Sequence, residues 1–377
     1  MDNLTHSLIG LAAAKAGLEK LSPGATALCL IAANIPDADV VTLLGGRWTY
    51  LEQHRGITHS IIGTLGLALL LPVAFFLADK LIARLRKRPP SIKLKGLVIA
   101  SLVVTATHPF MDWTNNYGVR PLLPWNSSWF YGDFVFIIDP FLWLTLGGAA
   151  FLVTSKTKKQ IGAWLVLAII PSYLVLFGSG NPFMGNNVWI RIVWFLGLIT
   201  FVVLFMRDGG KRWGKRIPLT ALLIASIYLG SLFVLHAIAR RSALIGGLEL
   251  AQARNEVMLK VAAMPTAANP LEWICVVETD KAAYRFNLSL RGNQRTNFVS
   301  HEKVSTSQSP ALPVAVTGYP AQVFLGFARF PVVRVVGEDC LTQTLVQFAD
   351  LRYTEPGSRR GTFSLEVPVE CPQLQMD

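Results

Sequence analysis

The sequence predicts an α-helical polytopic membrane domain, with six spans plus an N-terminal short or re-entrant helical hairpin, followed by a small extracytoplasmic mainly-β domain. Composition is the first reason. Hydrophobic residues are 52% and charged residues 15% of the chain, and mean hydropathy is +0.44, a poor match for a soluble globule. The second reason is a series of apolar runs at residues 58–79, 96–113, 134–154, 161–178, 188–206 and 217–238. Each is close to the ~20 residues that cross the hydrocarbon layer as a helix. The third is a change of pattern at Pro265, after which β-branched and alternating stretches between turn residues replace the long apolar runs.

Charge places the spans. A formal charge of +12 suggests nucleic acid only until its distribution is read. Residues 265–377 hold ten Lys/Arg and eleven Asp/Glu and are near neutral. The excess sits in three short loops: Lys80, Arg84, Arg86, Lys87, Arg88, Lys93 and Lys95; then Lys156, Lys158 and Lys159; then Arg207, Lys211, Arg212, Lys215 and Arg216. These alternate with loops poor in Lys/Arg, which is the positive-inside pattern, and no nucleic-acid partner is expected. With the basic loops in the cytoplasm, the 58–79 span starts outside at His59. The 96–113 span delivers His108 and Asp112 to that same side. The next span begins outside at Asp133 and carries Asp139 a short way into the membrane, and residues 239–377 follow outside.

The first 56 residues are less regular. Residues 5–18 and 24–35 read as two helices joined by Glu19-Lys20-Leu21-Ser22-Pro23-Gly24, with Pro23 suited to a first helical turn. The second run spans only roughly 18 Å, so the pair is expected to enter and return, leaving His6 and Asp37 on the outer side. The membrane domain is thus set at 1–238. An amphipathic connecting helix is set at 239–264, with Leu244, Leu248, Ala251 and Met258 on its apolar side and Arg240, Arg241, Arg254 and Lys260 among its charges. The soluble β-rich domain is set at 265–377, with strands at 273–279, 283–290, 322–329, 332–336, 343–352 and 362–369. Among the four cysteines, Cys275, Cys340 and Cys371 fall in this domain. One disulfide with a leftover thiol, or three reduced thiols, are equally consistent with it. The start Met-Asp-Asn lacks a basic n-region, so no cleaved signal peptide is expected.

The chemistry is concentrated at the outer ends of the early helices. The phrase Thr-His-Ser occurs twice, as Leu4-Thr5-His6-Ser7-Leu8-Ile9-Gly10 and as Ile57-Thr58-His59-Ser60-Ile61-Ile62-Gly63, each placing a threonine able to cap a helix before its histidine. Four of the six histidines lie within the first 108 residues. Asn34-Ile35-Pro36-Asp37-Ala38-Asp39 supplies two carboxylates after a helix-ending proline. His54-Arg55-Gly56-Ile57-Thr58-His59-Ser60 supplies two imidazoles around a glycine. In His108-Pro109-Phe110-Met111-Asp112 the i,i+4 spacing puts both groups on one helix face if the helix continues through Pro109. Asp139-Pro140 places a carboxylate beside a helix breaker.

Mixed imidazole and carboxylate donors suit zinc, manganese or iron, and the lack of nearby cysteine argues against a structural thiolate site. The expected metal ligands are His6, Asp37, Asp39, His54, His59, His108, Asp112 and Asp139. They exceed what one tetrahedral ion needs, so one or two divalent ions, zinc first, fit. Two-metal centres activate water and clamp both oxygens of a phosphoester. Arg55 is suited to an anionic substrate group, and Asp39 or Asp112, where free of metal, to general-base work. Each piece also has a structural alternative. Asp37 and Asp39 suit a loop at a helix end, His108 an interfacial hydrogen bond, and Asp139 a helix cap. Ionisable groups gathered on one membrane face favour function. His236 reads as packing, His301 as a surface residue, and Trp125 and Trp129 as interfacial anchors.

The combination of Thr5-His6, Pro36-Asp37-Ala38-Asp39, His54-Arg55-Gly56-Ile57-Thr58-His59-Ser60 and His108-x-x-x-Asp112, with Asp133 and Asp139-Pro140-Phe141 downstream, resembles the bacterial inner-membrane family described as metal-dependent hydrolases, some of them LexA-regulated. The resemblance covers about the first 240 residues, and His-Arg-Gly-x-Thr-His-Ser is its most specific element. It implies a polytopic inner-membrane protein with metal-dependent hydrolase activity, on phospholipids among other candidates; the span topology, not the resemblance, puts the C-terminal domain in the periplasm. The function expected is hydrolysis of a phosphoester in a membrane lipid or lipid-linked substrate at the outer face. The alternative is a transporter or envelope assembly factor whose His/Asp cluster binds metal or protons, although a transporter should show two related halves with broken helices. The β domain, outside the resemblance, is a candidate contact for an envelope partner. Single cysteines introduced near residues 88 and 120 test the topology: the position near 120 is expected to react with an impermeant maleimide in intact cells, and the one near 88 only after permeabilisation.

Overall fold

A computed structural model describes residues 1–177, 188–337, 344–358 and 363–370. The chain divides into two compact units: Met1–Ala38, Arg55–Val234 and Thr266–Pro270 form the first, and Asp39–His54, Leu235–Pro265 and Leu271–Asp377 the second. Helices come first in the chain: α1 (Asn3–Ala16), α2 (Ala25–Ala32), α3 (Arg47–Gln53), α4 (Ile61–Leu85), α5 (Leu94–Trp113), α6 (Pro140–Thr154), α7 (Lys158–Phe177), α8 (Val188–Met206), α9 (Gly209–Trp213) and α10 (Arg216–Arg254). Among the described residues α4, α5, α7, α8 and α10 are long and apolar enough to cross a membrane, and α2 with the 3-10 segment Ile35–Gly45 adds a sixth if that bent pair is one span. The sixth expected span, 134–154, is the 15-residue apolar helix α6. It starts only at Pro140 because Pro140 has no amide to extend a helix backwards and Asp139 caps the free donors of the first turn.

Small side chains bring the N-terminal helices together. Ala14 of α1, Ala25, Cys29 and Ala32 of α2, and Leu97 and Ala100 of α5 form one buried cluster, the small-residue packing expected where the hydrophobic effect cannot drive helices together. A second cluster joins Leu8 and Ala12 of α1 to Leu142, Trp143 and Leu146 of α6 and Trp194 of α8. The expected hairpin is present, since α1 and α2 pack on each other.

The two Thr-His-Ser phrases fold differently, and neither threonine is a cap. In the first, Asp2 caps α1, its carboxylate accepting from the Thr5 amide at 2.9 Å and the Thr5 hydroxyl at 2.7 Å, so His6 lies inside the helix. In the second, Ile57–His59 is a 3-10 turn and Ser60 caps α4, accepting from the Gly63 amide at 3.1 Å. What the copies share structurally is their last residue. A Cβ on Gly10 would lie 2.6 Å from the Cys29 carbonyl oxygen, and one on Gly63 would lie 1.8 Å from that of Ile57. Both glycines therefore permit a close backbone approach: α2 onto α1, and the His59 turn onto α4.

In the second unit, strands β1 (Met258–Thr266), β2 (Asn269–Thr279), β3 (Ala282–Ser289), β4 (Gln294–Lys303), β5 (Pro331–Val336), β6 (Thr344–Asp350) and β7 (Ser364–Val369) form one sheet in sequence order, antiparallel from β2 to β7. Helices α11 (Leu312–Ala315) and α12 (Tyr319–Phe327) lie between β4 and β5. The period of two is explicit in β2. Trp273, Cys275 and Val277 pack with Ala239 and Ala243 of α10, while Val276 and Ile274 pack with Phe330, Val332 and Leu351. Both faces are thus covered.

Three expectations change here. The connecting helix 239–264 is the end of α10, and β1 already begins at Met258; burial of Ala239 and Ala243 against the sheet makes that stretch a packing helix instead of a surface-lying one. Residues 322–329 are not a strand. Pro320 occupies the first turn of α12, and Ala321, Phe324 and Phe327 recur on one buried helical face. Strand β4, with a largely exposed pattern, was not expected at all. Cys29 and Cys275 are free and buried, and burial pushes the Cys275 thiol up, away from reactivity; Cys340 and Cys371 lie outside the described residues. His236 lies 5.6 Å from the Trp273 ring, consistent with packing, whereas His301 is half-buried in β4.

Gly63→Ala is expected to destabilise the protein by about 1–3 kcal/mol through the forced backbone shift. Gly66→Ala, where a Cβ meets nothing within 4 Å, should leave stability unchanged; thermal unfolding in detergent distinguishes the two.

Candidate metal centre

Helix α5 does continue through Pro109, so His108 and Asp112 share a face. The two residues lie near its C-terminal end, 0% and 1% exposed. The 3-10 turn Ile57–His59 delivers His59, and Asp37 follows the end of α2. Four donor atoms converge from these three places. His59 Nε2 lies 3.3 Å from Asp37 Oδ1 and 3.2 Å from Asp112 Oδ2. His108 Nε2 lies 3.4 Å from each of the same two oxygens, and the two Nε2 atoms are 3.2 Å apart.

Those spacings carry chemical information. A tetrahedral ion with bonds of about 2.0 Å to nitrogen and oxygen holds its donors about 3.3 Å apart. Five edges of the Asp37–His59–His108–Asp112 group therefore have the length such an ion requires, and all donors of the group lie within 4.8 Å of one another. Protonation points the same way. His108 Nδ1 lies 2.6 Å from the Ala33 carbonyl oxygen, which can only accept, so Nδ1 carries the proton and a neutral His108 turns the Nε2 lone pair towards the other donors. Two buried imidazoles, the buried Asp112 carboxylate and the partly exposed Asp37 carboxylate can hold a metal ion.

Arg55 holds the centre from behind. Its backbone is left-handed at φ 54, which turns the chain into the His59 turn. The guanidinium, 2% exposed, donates to Asp112 Oδ1 at 3.0 Å, to the Asp112 carbonyl at 3.2 Å, to Asn115 Oδ1 at 3.0 Å and to the Gly118 carbonyl at 3.3 Å, and lies 4.6 Å over the Tyr117 ring. It was expected to bind a substrate anion. The structure directs it at Asp112 instead, leaving Oδ2 for the donor group. Asp112 Oδ1 also meets the Met1 amino group and lies 3.4 Å from His6 Nε2.

The remaining expected residues divide. His6 is outside the four-donor group but stacks on His108 with ring centroids 3.8 Å apart. Asp39 and His54 pair with each other in the second unit at 3.1 Å, and His54 stacks on Tyr50. Asp139 does not join the donors: Oδ1 accepts from the Phe141 and Leu142 amides and Oδ2 from the Tyr228 hydroxyl at 2.8 Å, so it holds the start of α6. Asn115, Tyr117, the Ala33 carbonyl and Trp143 were not anticipated. Trp143 Nε1 donates to Asp2 Oδ1 at 3.0 Å and to the Thr5 hydroxyl at 3.1 Å, anchoring the turn that carries His6. None of these has a sequence signal beyond a polar turn or an apolar helix.

Comparison with known proteins agrees with this setting. Residues 1–184 match the family described as YdjM inner membrane protein, which meets the resemblance read from the motifs over a shorter stretch than the 240 residues expected. A Bacillus subtilis protein described as uncharacterized protein YfhP is 26% identical over 155 residues, which is 38% of this chain and 44% of that relative; the match thus spans less than half of either protein. No solved structure matches. The family match and the apolar helices together make this a multi-pass membrane protein.

Metal analysis of detergent-purified protein should find about one divalent ion per chain, the capacity of one four-donor site. His59→Ala and His108→Ala should reduce it to background, while Asp139→Asn should keep the ion. Retention in both histidine variants would remove the site from consideration.

Proposed function

From the inner-membrane match of residues 1–184 and the four-donor group, we propose that the protein is a membrane-bound metal-dependent hydrolase. Its substrate is a phosphoester of a lipid or lipid-linked molecule, cleaved at the outer face of the inner membrane, with the C-terminal domain in the periplasm. The observation that carries this reading is the set of 3.2–3.4 Å separations among Asp37, His59, His108 and Asp112. Those residues would hold one ion, zinc by donor type and spacing. When bound, such an ion supplies Lewis-acid polarisation of a phosphoryl oxygen and activation of water near neutral pH.

The chain's own residues prepare that chemistry. Ala33 keeps the proton of His108 on Nδ1. Arg55 fixes Asp112 in one rotamer and balances its charge, so the donors are preorganised and need no reorientation. The buried His6 ring stacks on His108 and holds that imidazole in its plane.

Metal-loaded protein is expected to release a phosphorylated headgroup or phosphate from a panel of phospholipids and polyprenyl phosphates, and a chelator should abolish turnover. Metal present with no turnover on any of them would favour the binding or assembly role instead. Arg55→Lys keeps the charge but loses the planar fork, and an outer-shell change of this kind costs about 10–100-fold in activity or metal affinity.

A further inference from the structure

Beside His59 lies a cavity of about 510 Å³, bounded by α4, α5 and the loop after α5. Apart from His59 and Thr64 its walls are apolar. Ala68 forms a buried floor, while Ile61, Leu65 and Phe110 are exposed along its mouth, so it opens sideways from two membrane-crossing helices. The wall is built and fastened. Val119 and Phe130 exchange backbone hydrogen bonds at 3.0 and 2.9 Å, and the Ile61 amide donates to the Pro121 carbonyl at 3.0 Å. These bonds hold the loop wall in place, and the groove ends on a buried imidazole of the donor group.

We infer that this groove binds one acyl chain of a glycerophospholipid, laying the chain between α4 and α5 so that the headgroup end reaches His59. This rests on the hydrolase reading for what happens next, but not for the binding itself. Three features select the occupant. The mouth lies on exposed apolar faces of α4 and α5, two helices long and apolar enough to cross a membrane, where hydrocarbon is the matching solvent. Away from His59 and Thr64 the walls offer no partner to a sugar or a charged group. The volume lies in the range of small-molecule sites and accommodates a single acyl chain along its whole length, whereas most of a polyprenyl tail would lie outside it.

The test is photocrosslinking of the full-length, detergent-purified protein with a phosphatidylglycerol carrying a diazirine on one acyl chain, mapped by peptide mass spectrometry. Label is expected to concentrate on α4, α5 and the 119–130 loop. It should be lost from there, though not from the exposed face of α8, in both Ala106→Trp and Leu65→Trp, which place an indole in the groove. Metal content in those variants reports that the centre is still folded. Equal labelling of the groove and of α8, or groove labelling unchanged in both variants, overturns the proposal. So does displacement of the label by undecaprenyl phosphate but not by unlabelled phosphatidylglycerol. Because the readout is binding, groove labelling without turnover would reject the hydrolase and leave the groove standing, whereas turnover without groove labelling would do the reverse.

Discussion

The ion pair between Arg55 and Asp112 is the constraint from which the site follows. Both groups are almost fully buried in an apolar helical domain, where an unpaired charge is expensive and removal of one partner leaves the other uncompensated. The structure answers that cost by using the guanidinium fork on the Asp112 carboxylate and on three further oxygens around it. Because the pair occupies Oδ1, only Oδ2 of Asp112 is left to face His59 and His108. A single electrostatic requirement thereby sets the rotamer of one donor, the turn that presents another, and the position of the loop from Asn115 to Gly118.

Around that pair, each donor comes from a different kind of local structure. His108 and Asp112 share a regular helical face, His59 sits in a 3-10 turn closed by Gly63, and Asp37 follows a helix that Pro36 prevents from continuing. Rigid elements supply two of the donors and sharp turns supply the others, so the donor spacing depends on packing as much as on spacing in the chain. The small-residue contacts of α1, α2 and α5 bring Ala33 to His108, and the Trp143 indole ties the start of α1. Asp39–His54 belongs to the second unit, where Trp48 packs with the cluster that includes Phe324 of α12 and Tyr319 donates to Glu52 at 2.9 Å.

Much of the membrane domain was legible because hydropathy acts over whole helices. A run of ~20 apolar residues has one economical structure in lipid, so the spans appear close to where composition puts them, and α6 is shorter only because Pro140 starts it. The sheet was legible where burial alternates, as in β2, and illegible in β4, whose exposed residues leave no alternation to read. The stretch at 322–329 misled because apolar residues such as Val323, Phe324, Leu325 and Phe327 suit either structure in a short segment, and Pro320 decided for a helix.

For the site, the kinds of donor, their grouping at the ends of a few early helices, and the i,i+4 pairing of His108 with Asp112 were readable along the chain, since helical periodicity is a local property. Only the tertiary structure decided which of the eight candidate ligands meet: Asp37, His59, His108 and Asp112 converge, Asp39 turns to His54, His6 stacks behind His108, and Asp139 caps a helix. It also decided that Arg55 serves Asp112. Those choices depend on the direction each side chain takes after a turn or a close glycine contact, and on which buried oxygen another chain segment has already satisfied, neither of which is encoded in the spacing of residues along the chain.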